Sequence, residues 1–194
     1  MKITVKFGLG FAALWIAYKM FLFYTATGVA RYTLDIPILL NVMCLLLSMT
    51  FGLYLHKRRQ TVATTALDDI KSSMTAGVPY TIIISVFLYF YYTSIDPEFN
   101  KHQLTESEVL LDNVMNDPAK LKELKAGNAD YEIMTDEEIR EQQISNQRAM
   151  FSAKSAMTVS LLGMLILSTI NSIFITVVYR KLIFRDRVVR PPTS

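Results

Sequence analysis

Four apolar blocks, residues 7–27, 36–55, 74–95 and 155–179, limit what this chain can fold into more than any other feature of it. Each is twenty or more residues long, and the last three contain no Asp, Glu, Lys or Arg. At about 1.5 Å of rise per residue, a helix of that length crosses the roughly 30 Å hydrocarbon layer of a bilayer. Buried helices of soluble proteins seldom run so far without a charge. The expected fold is therefore all-α: a polytopic membrane protein with four transmembrane helices and the lipid bilayer as its solvent.

The formal net charge of +3 averages two opposite regions. Residues 96–154 hold most of the acids, and the other connections and tails are basic. Lys2, Lys6, Lys57, Arg58, Arg59, Lys71, Arg180, Lys181, Arg185, Arg187 and Arg190 fall on one side of a four-span arrangement. The opposite side has Arg31 and the more thinly spread cations of the long segment. The positive-inside rule then places both termini in the cytoplasm and residues 96–154 outside, in a bacterial inner membrane. Basic residues flanking spans are matched to lipid phosphates rather than to nucleic acid, so no nucleic-acid partner is expected. The opening Met1-Lys2-Ile3 and Gly28-Val29-Ala30 have the outline of a cleavable signal, but Lys19 interrupts the apolar run and the run is long, so a retained first helix is expected.

Local signals mark boundaries. Asp35 before Ile36-Pro37 reads as an N-cap with proline in the first turn, and Pro79 falls in the opening turns of the third span, where it should kink the helix little. Tyr24, Tyr32, Tyr89, Tyr91 and Tyr92 collect at one interface and Tyr54 and Tyr179 at the other. Between His56 and Ser73 the chain reads either as a solvated linker or as a short interfacial helix. Residues 96–154 read as an acidic helical insert. Thr105 with Glu108 and Thr135 with Glu138 have capping-box spacing, and Leu104, Leu111, Val114 and Met115 share a face. Asp117-Pro118 opens a short helix that Gly127 can close. After Glu138 no breaker precedes the last span, so a continuous rod is expected from the insert into the membrane.

The third span runs into Tyr91-Tyr92-Thr93-Ser94-Ile95-Asp96-Pro97-Glu98-Phe99. That junction resembles the matching stretch of the bacterial family known as domain of unknown function 4199. The wider layout is similar too: Lys6-Phe7-Gly8 opening the first span, Ala66 and Gly77 leading into the third, an acidic helical insert, and a basic finish at Arg180-Lys181. The resemblance implies a small bacterial inner-membrane protein with no established activity and no catalytic residue to carry over. Lys19 departs from its apolar first span.

Lys19 is the one formally charged residue inside the four blocks. It lies about 18 Å from Phe7 and about 12 Å from Thr27 along a helix, so it is read as a snorkelling lysine or as a structural ion pair with Asp96 or Glu98. Small residues recur every fourth position in the fourth span, at Ser152, Ala156, Ser160, Ser168, Ser172 and Thr176, interrupted by Met164. Cys44, Ser48 and Gly52 do the same in the second. Such rows let helices approach closely, as seams within the bundle first and between copies of a homo-oligomer second. Asn41 and Asn171 are read as interhelical hydrogen-bonding residues rather than substrate ligands. Asp136, Glu137, Glu138 and Glu141 read as a solvated capping cluster rather than a cation site.

Two histidines, His56 and His102, fall on opposite sides of the expected topology and so form no joint metal or haem site. The sequence contains no Walker loop, no GxGxxG and no HExxH, and the four blocks contain no carboxylate pair for an intramembrane protease. No catalytic residue, cofactor or metal is expected. The expected role is non-enzymatic association with a membrane or envelope protein; the alternative is a small oligomeric transporter or channel using Lys19 and the intramembrane Asn and Ser side chains.

Overall fold

The structure, a computed structural model, describes residues 2–26, 32–33, 35–60 and 64–183. Gly28-Val29-Ala30, Arg31 and the tail residues Arg185, Arg187, Arg190 and Pro191-Pro192-Thr193-Ser194 lie outside the described residues. All regular structure among the described residues is helical. The chain divides into two compact units, Met1–Phe87 with Thr158–Ser194, and Leu88–Met157. Four helices are long and apolar enough to cross a membrane: Ile3–Thr25, Asp35–Arg59, Ala66–Ile95 and Ala153–Ile183.

Helix α1 (Ile3–Thr25) buries Thr4, Gly8, Ala12, Trp15 and Lys19. Their spacing of four, four, three and four places them on one face of an α-helix. The Trp15 indole N–H donates to the Pro37 carbonyl of α2 (Asp35–Arg59) at 3.1 Å. Gly8 lies against the carbonyl of Ala76 in α3 (Ala66–Phe90), so close that a Cβ there would collide with backbone. Gly52 of α2 meets both Ala76 and Thr4.

Several boundaries differ from those read in the sequence, each for a local reason. Helix α2 opens on Asp35 itself, so Asp35 is a first-turn acid at the positive end of the dipole rather than a cap outside the helix. It runs on through His56, Lys57, Arg58 and Arg59, cations suited to its negative end. Helix α3 begins at Ala66, eight residues before the apolar block, because Thr65 and Asp68 cap it reciprocally: Asp68 N–H donates to Thr65 Oγ1 at 3.2 Å, and Thr65 N–H to Asp68 Oδ2 at 3.2 Å. Pro79 is therefore well inside the helix rather than in its opening turns, and it removes the amide that would bond the Thr75 carbonyl. The helix ends in a π-helical turn, Tyr91–Ile95, before Pro97 starts the next element.

The second unit holds α4 (Pro97–Met115), α5 (Pro118–Ala126), α6 (Ala129–Glu132) and α7 (Asp136–Met150). Proline at the start of α4 puts Thr105 in its interior, so the expected Thr105–Glu108 capping box does not form; the Thr105 hydroxyl instead donates to the Lys101 carbonyl at 3.0 Å. The Thr135–Glu138 box does form, with both reciprocal bonds. Asp117 caps α5, and Gly127 closes it in ordinary right-handed geometry. Helices α4 and α7 pair through Arg140 and Asp112 at 2.8 Å, and Leu111, Tyr131 and Ile139 are buried in this unit. The expected continuous rod is interrupted: α7 stops at Met150, Phe151-Ser152 form a turn, and Ser152 Oγ accepts the Ser155 amide to start α8 (Ala153–Val178), which ends in a π-helical turn at Tyr179–Ile183.

Helix α8 has its polarity reversed relative to a soluble helix. Ser168, Ser172 and Thr176 are buried, whereas Ile166 and Phe174 are 62% and 66% exposed. Leu39 on α2 is likewise 65% exposed. Water would select the opposite arrangement; a hydrocarbon solvent selects this one.

Candidate functional site at the ends of three helices

The C-terminal end of α2, the N-terminal end of α3 and the C-terminal end of α8 converge on one carboxylate. Asp69, the fourth residue of α3, is 2% exposed. Its Oδ1 lies 2.7 Å from Lys57 Nζ and accepts the Thr64 hydroxyl at 2.9 Å. Its Oδ2 accepts Arg180 Nε at 2.7 Å. Arg180 also donates to the Thr64 carbonyl, and Lys57 to the Thr64 hydroxyl. One carboxylate is thus neutralised by two cations from different helices, and Thr64 cross-links them. A carboxylate that deep is tolerated because it is paired and hydrogen-bonded on both oxygens.

Sequence alone does not point to this cluster: there Asp69 falls in the connection between His56 and Ser73, and Lys57 and Arg180 read as flanking positive charges. A signal was nevertheless present: Asp69, Ser73, Gly77 and Thr81 form a four-residue-spaced row on α3, comparable to the rows recognised in the second and fourth spans.

A second polar node lies farther along the helices. The Tyr80 hydroxyl donates to Asn41 Oδ1 at 2.6 Å and also reaches the Asn41 carbonyl at 3.0 Å. Asn41 Nδ2 and the Ser160 hydroxyl each approach Met164 Sδ, at 3.7 and 3.3 Å. Asn41 therefore joins α2 to α3 and α8, and it meets Ser160 through the methionine that interrupts the small-residue row. Asn171 shares none of these bonds, and its Nδ2 has no hydrogen-bond partner.

The other expected positions fall as follows. Ser48 is buried and donates back to the Leu45 carbonyl at 2.8 Å. Ser168 sits against Gly77, where an added Cβ would come within 3.1 Å of its Oγ. Ser172 is buried and bonds the Thr169 carbonyl at 2.7 Å. Lys19, 3% exposed, lies on the buried face of α1 in the first unit. Asp96 and Glu98 belong to the second unit: Asp96 is buried and accepts the Tyr91 hydroxyl at 3.3 Å, and Glu98 is exposed and paired with Lys101 at 2.7 Å. Among the described residues no group of three or more His, Cys, Asp or Glu side chains is arranged to hold a metal ion.

Comparison with known proteins gives one family: the sequence model described as "Protein of unknown function (DUF4199)" matches residues 6–181. No curated protein and no solved structure matches the chain at a significant level.

Proposed function

Because the chain belongs to the DUF4199 family of proteins of unknown function, we propose its role from its own architecture: a non-enzymatic multi-pass protein of a bacterial inner membrane that associates with a membrane or envelope protein partner. The observation that carries this reading is the surface of the second unit. The unit is acidic as a whole, yet Val109, Leu110 and Met150 on its helices, and Ile133 just after α6, are exposed. Apolar side chains set in a charged surface suit contact with a protein rather than with lipid.

The proposed orientation puts both termini and the Asp69 cluster in the cytoplasm and the acidic unit outside. Its support is the concentration of cations at one set of helix ends: Arg58 and Arg59 adjoin Lys57, and Lys181 adjoins Arg180. The test is crosslinking in native membranes followed by mass spectrometry, with and without residues 100–150. A stable partner lost on that deletion is the expected result. An unchanged partner set would refute association through this unit.

The buried position of Lys19 favours a second reading, a small oligomeric transporter or channel. A lysine turned into a bundle rather than toward lipid is where transport proteins place such a charge. Flux in proteoliposomes that disappears in Lys19→Met would replace the first reading with this one.

A further inference from the structure

One face of α1 carries an open groove of about 470 Å³, lined by Ile3, Lys6, Phe7, Gly10, Phe11 and Leu14. Its notch is Gly10, where an added Cβ would meet no atom within 4 Å. One wall is held in place from the neighbouring helix. Phe7 and Phe11 both stack on Phe51 of α2, with ring centroids 6.5 and 6.2 Å apart, so the hollow does not close by a turn of either ring.

Two cations lead onto this groove. Lys2, Lys6, Gly10 and Leu14 are spaced four apart and so follow one another along one side of the helix. Both lysines are exposed, and neither has an ion-pair partner among the described residues. Helix α1 itself contains no Asp or Glu to answer them. From Ile3 to Leu14 the groove extends about 16 Å along the axis, which matches the roughly 15 Å of hydrocarbon in one leaflet.

The charge and the apolar walls together select the occupant. A second copy of the chain shares the orientation of the first in the membrane, so two-fold pairing through this face would set the lysines of both copies against each other. The chain's own C-terminal tail brings Arg185, Arg187 and Arg190 with one acid, Asp186, and is also matched in sign to the lysines. An anionic phospholipid meets both halves of the site. Its phosphate answers cations that reach headgroup level on flexible stems, and its acyl chain covers Phe7, Gly10, Phe11 and Leu14. A zwitterionic lipid offers the same chain, but its own ammonium offsets the phosphate. We propose that this face of α1 binds one anionic phospholipid of the leaflet at the helix's N-terminal end, with the phosphate on Lys2 and Lys6 and one acyl chain laid along the Gly10 groove. The site lies within the first unit and does not depend on the association role proposed above.

Native mass spectrometry of the full chain tests it, with the protein released from micelles holding equal amounts of phosphatidylglycerol and phosphatidylethanolamine of the same acyl chains. One phosphatidylglycerol is expected to stay bound, several-fold in excess of phosphatidylethanolamine. Lys6→Gln is expected to remove most of that preference, and Lys122→Gln, which removes an exposed charge in the second unit, to leave it intact. Gly10→Leu fills the notch and is expected to lower retention of both lipids several-fold. Ala13→Leu, a comparable addition on an exposed part of α1 outside the groove, is expected to change neither. Lys6 and Gly10 are both exposed, so these replacements leave buried packing alone, and helical circular dichroism checks that they do. Equal retention of the two lipids by the unaltered protein would overturn the proposal. So would an equal response to Lys6→Gln and Lys122→Gln, or retention that Gly10→Leu leaves unchanged. A dimer in the same spectra that Gly10→Leu abolishes would overturn it as well, because a second copy would then be what covers the groove.

Discussion

Arg180 and Asp69, 111 residues apart in the chain, meet at 2.7 Å through Nε and Oδ2, and this contact joins the last long helix to the start of the third. Lys57 reaches the other oxygen of the same carboxylate from the second helix. The pairing has an asymmetric energetic consequence. Desolvating the three charges uses up much of their mutual attraction, so the intact cluster adds little net stability, whereas removing its centre strands two cations.

Asp69→Asn is therefore expected to destabilise the protein by about 3–5 kcal/mol, the range for breaking a buried pair. Lys57→Met should cost less, because Arg180 still answers the carboxylate. Combining the two replacements should cost less than the sum of their separate effects, since residues in one network do not act independently. Thermal unfolding in detergent, monitored by helical circular dichroism, measures all three. Additive effects would show that the groups do not interact.

Two glycines on the first helix make an internally controlled pair. Gly8 is pressed against the Ala76 carbonyl, and Gly10 has nothing within 4 Å of an added Cβ. Gly8→Ala must push α1 away from α3, at a cost of about 1–3 kcal/mol as for other overpacked sites. Gly10→Ala meets open space and replaces the poorer helix former, a gain of up to about 1 kcal/mol. The melting temperatures should move in opposite directions. Equal shifts would mean that α1 does not pack on α3 at Gly8.

The four spans were legible because apolar length is a one-dimensional property, readable without knowing any partner. Their ends were less so. Helix α3 starts early because Thr65 and Asp68 cap it, and that polar turn looked like part of a linker. The same Thr-x-x-acid spacing misled at Thr105, where Pro97 had already started the helix, and held at Thr135, where nothing upstream competed. The rows of small residues in α2 and α8 were visible as a period of four. Their meeting places were not: Ser168 finds Gly77, and Asn41 finds Tyr80 and Met164, only once the helices are docked. Asp69 is hidden in the sequence for the same reason, since a carboxylate in a connecting stretch becomes a buried centre only when helices from three parts of the chain converge.

The Asn41–Tyr80 bond yields a smaller and more local prediction. Tyr80→Phe keeps the ring, which is fully buried, and removes only the hydroxyl that donates at 2.6 Å. A loss of about 1 kcal/mol is expected, the net worth of one hydrogen bond plus the cost of leaving Asn41 Oδ1 without that donor. Asn41→Leu in the Tyr80→Phe background should add less than in the unaltered protein, because the two groups serve each other. Double-mutant analysis of detergent melting curves checks this, and full additivity would contradict the bond.

The capping box of α7 supplies a pH dependence whose sign follows from its geometry. Glu138 Oε2 accepts the Thr135 amide at 2.8 Å and the Thr135 hydroxyl at 3.0 Å, and these bonds hold its carboxyl below the ordinary glutamate range. Both favour the ionised form. A carboxyl whose value is depressed on folding contributes its stabilisation fully above its unfolded value and loses it as pH falls through the lower, folded value. The start of α7 should thus be intact at neutral pH and loosen only below the usual glutamate range. Amide hydrogen exchange at residues 135–139, corrected for the intrinsic pH dependence of exchange, should show protection that falls with acidification. Glu138→Gln should show weaker protection at neutral pH and little further change on acidification, because glutamine cannot supply the charge. If protection in the two proteins fell together, the acid sensitivity would come from another group, and the Thr135–Glu138 box would not be what fixes the start of this helix.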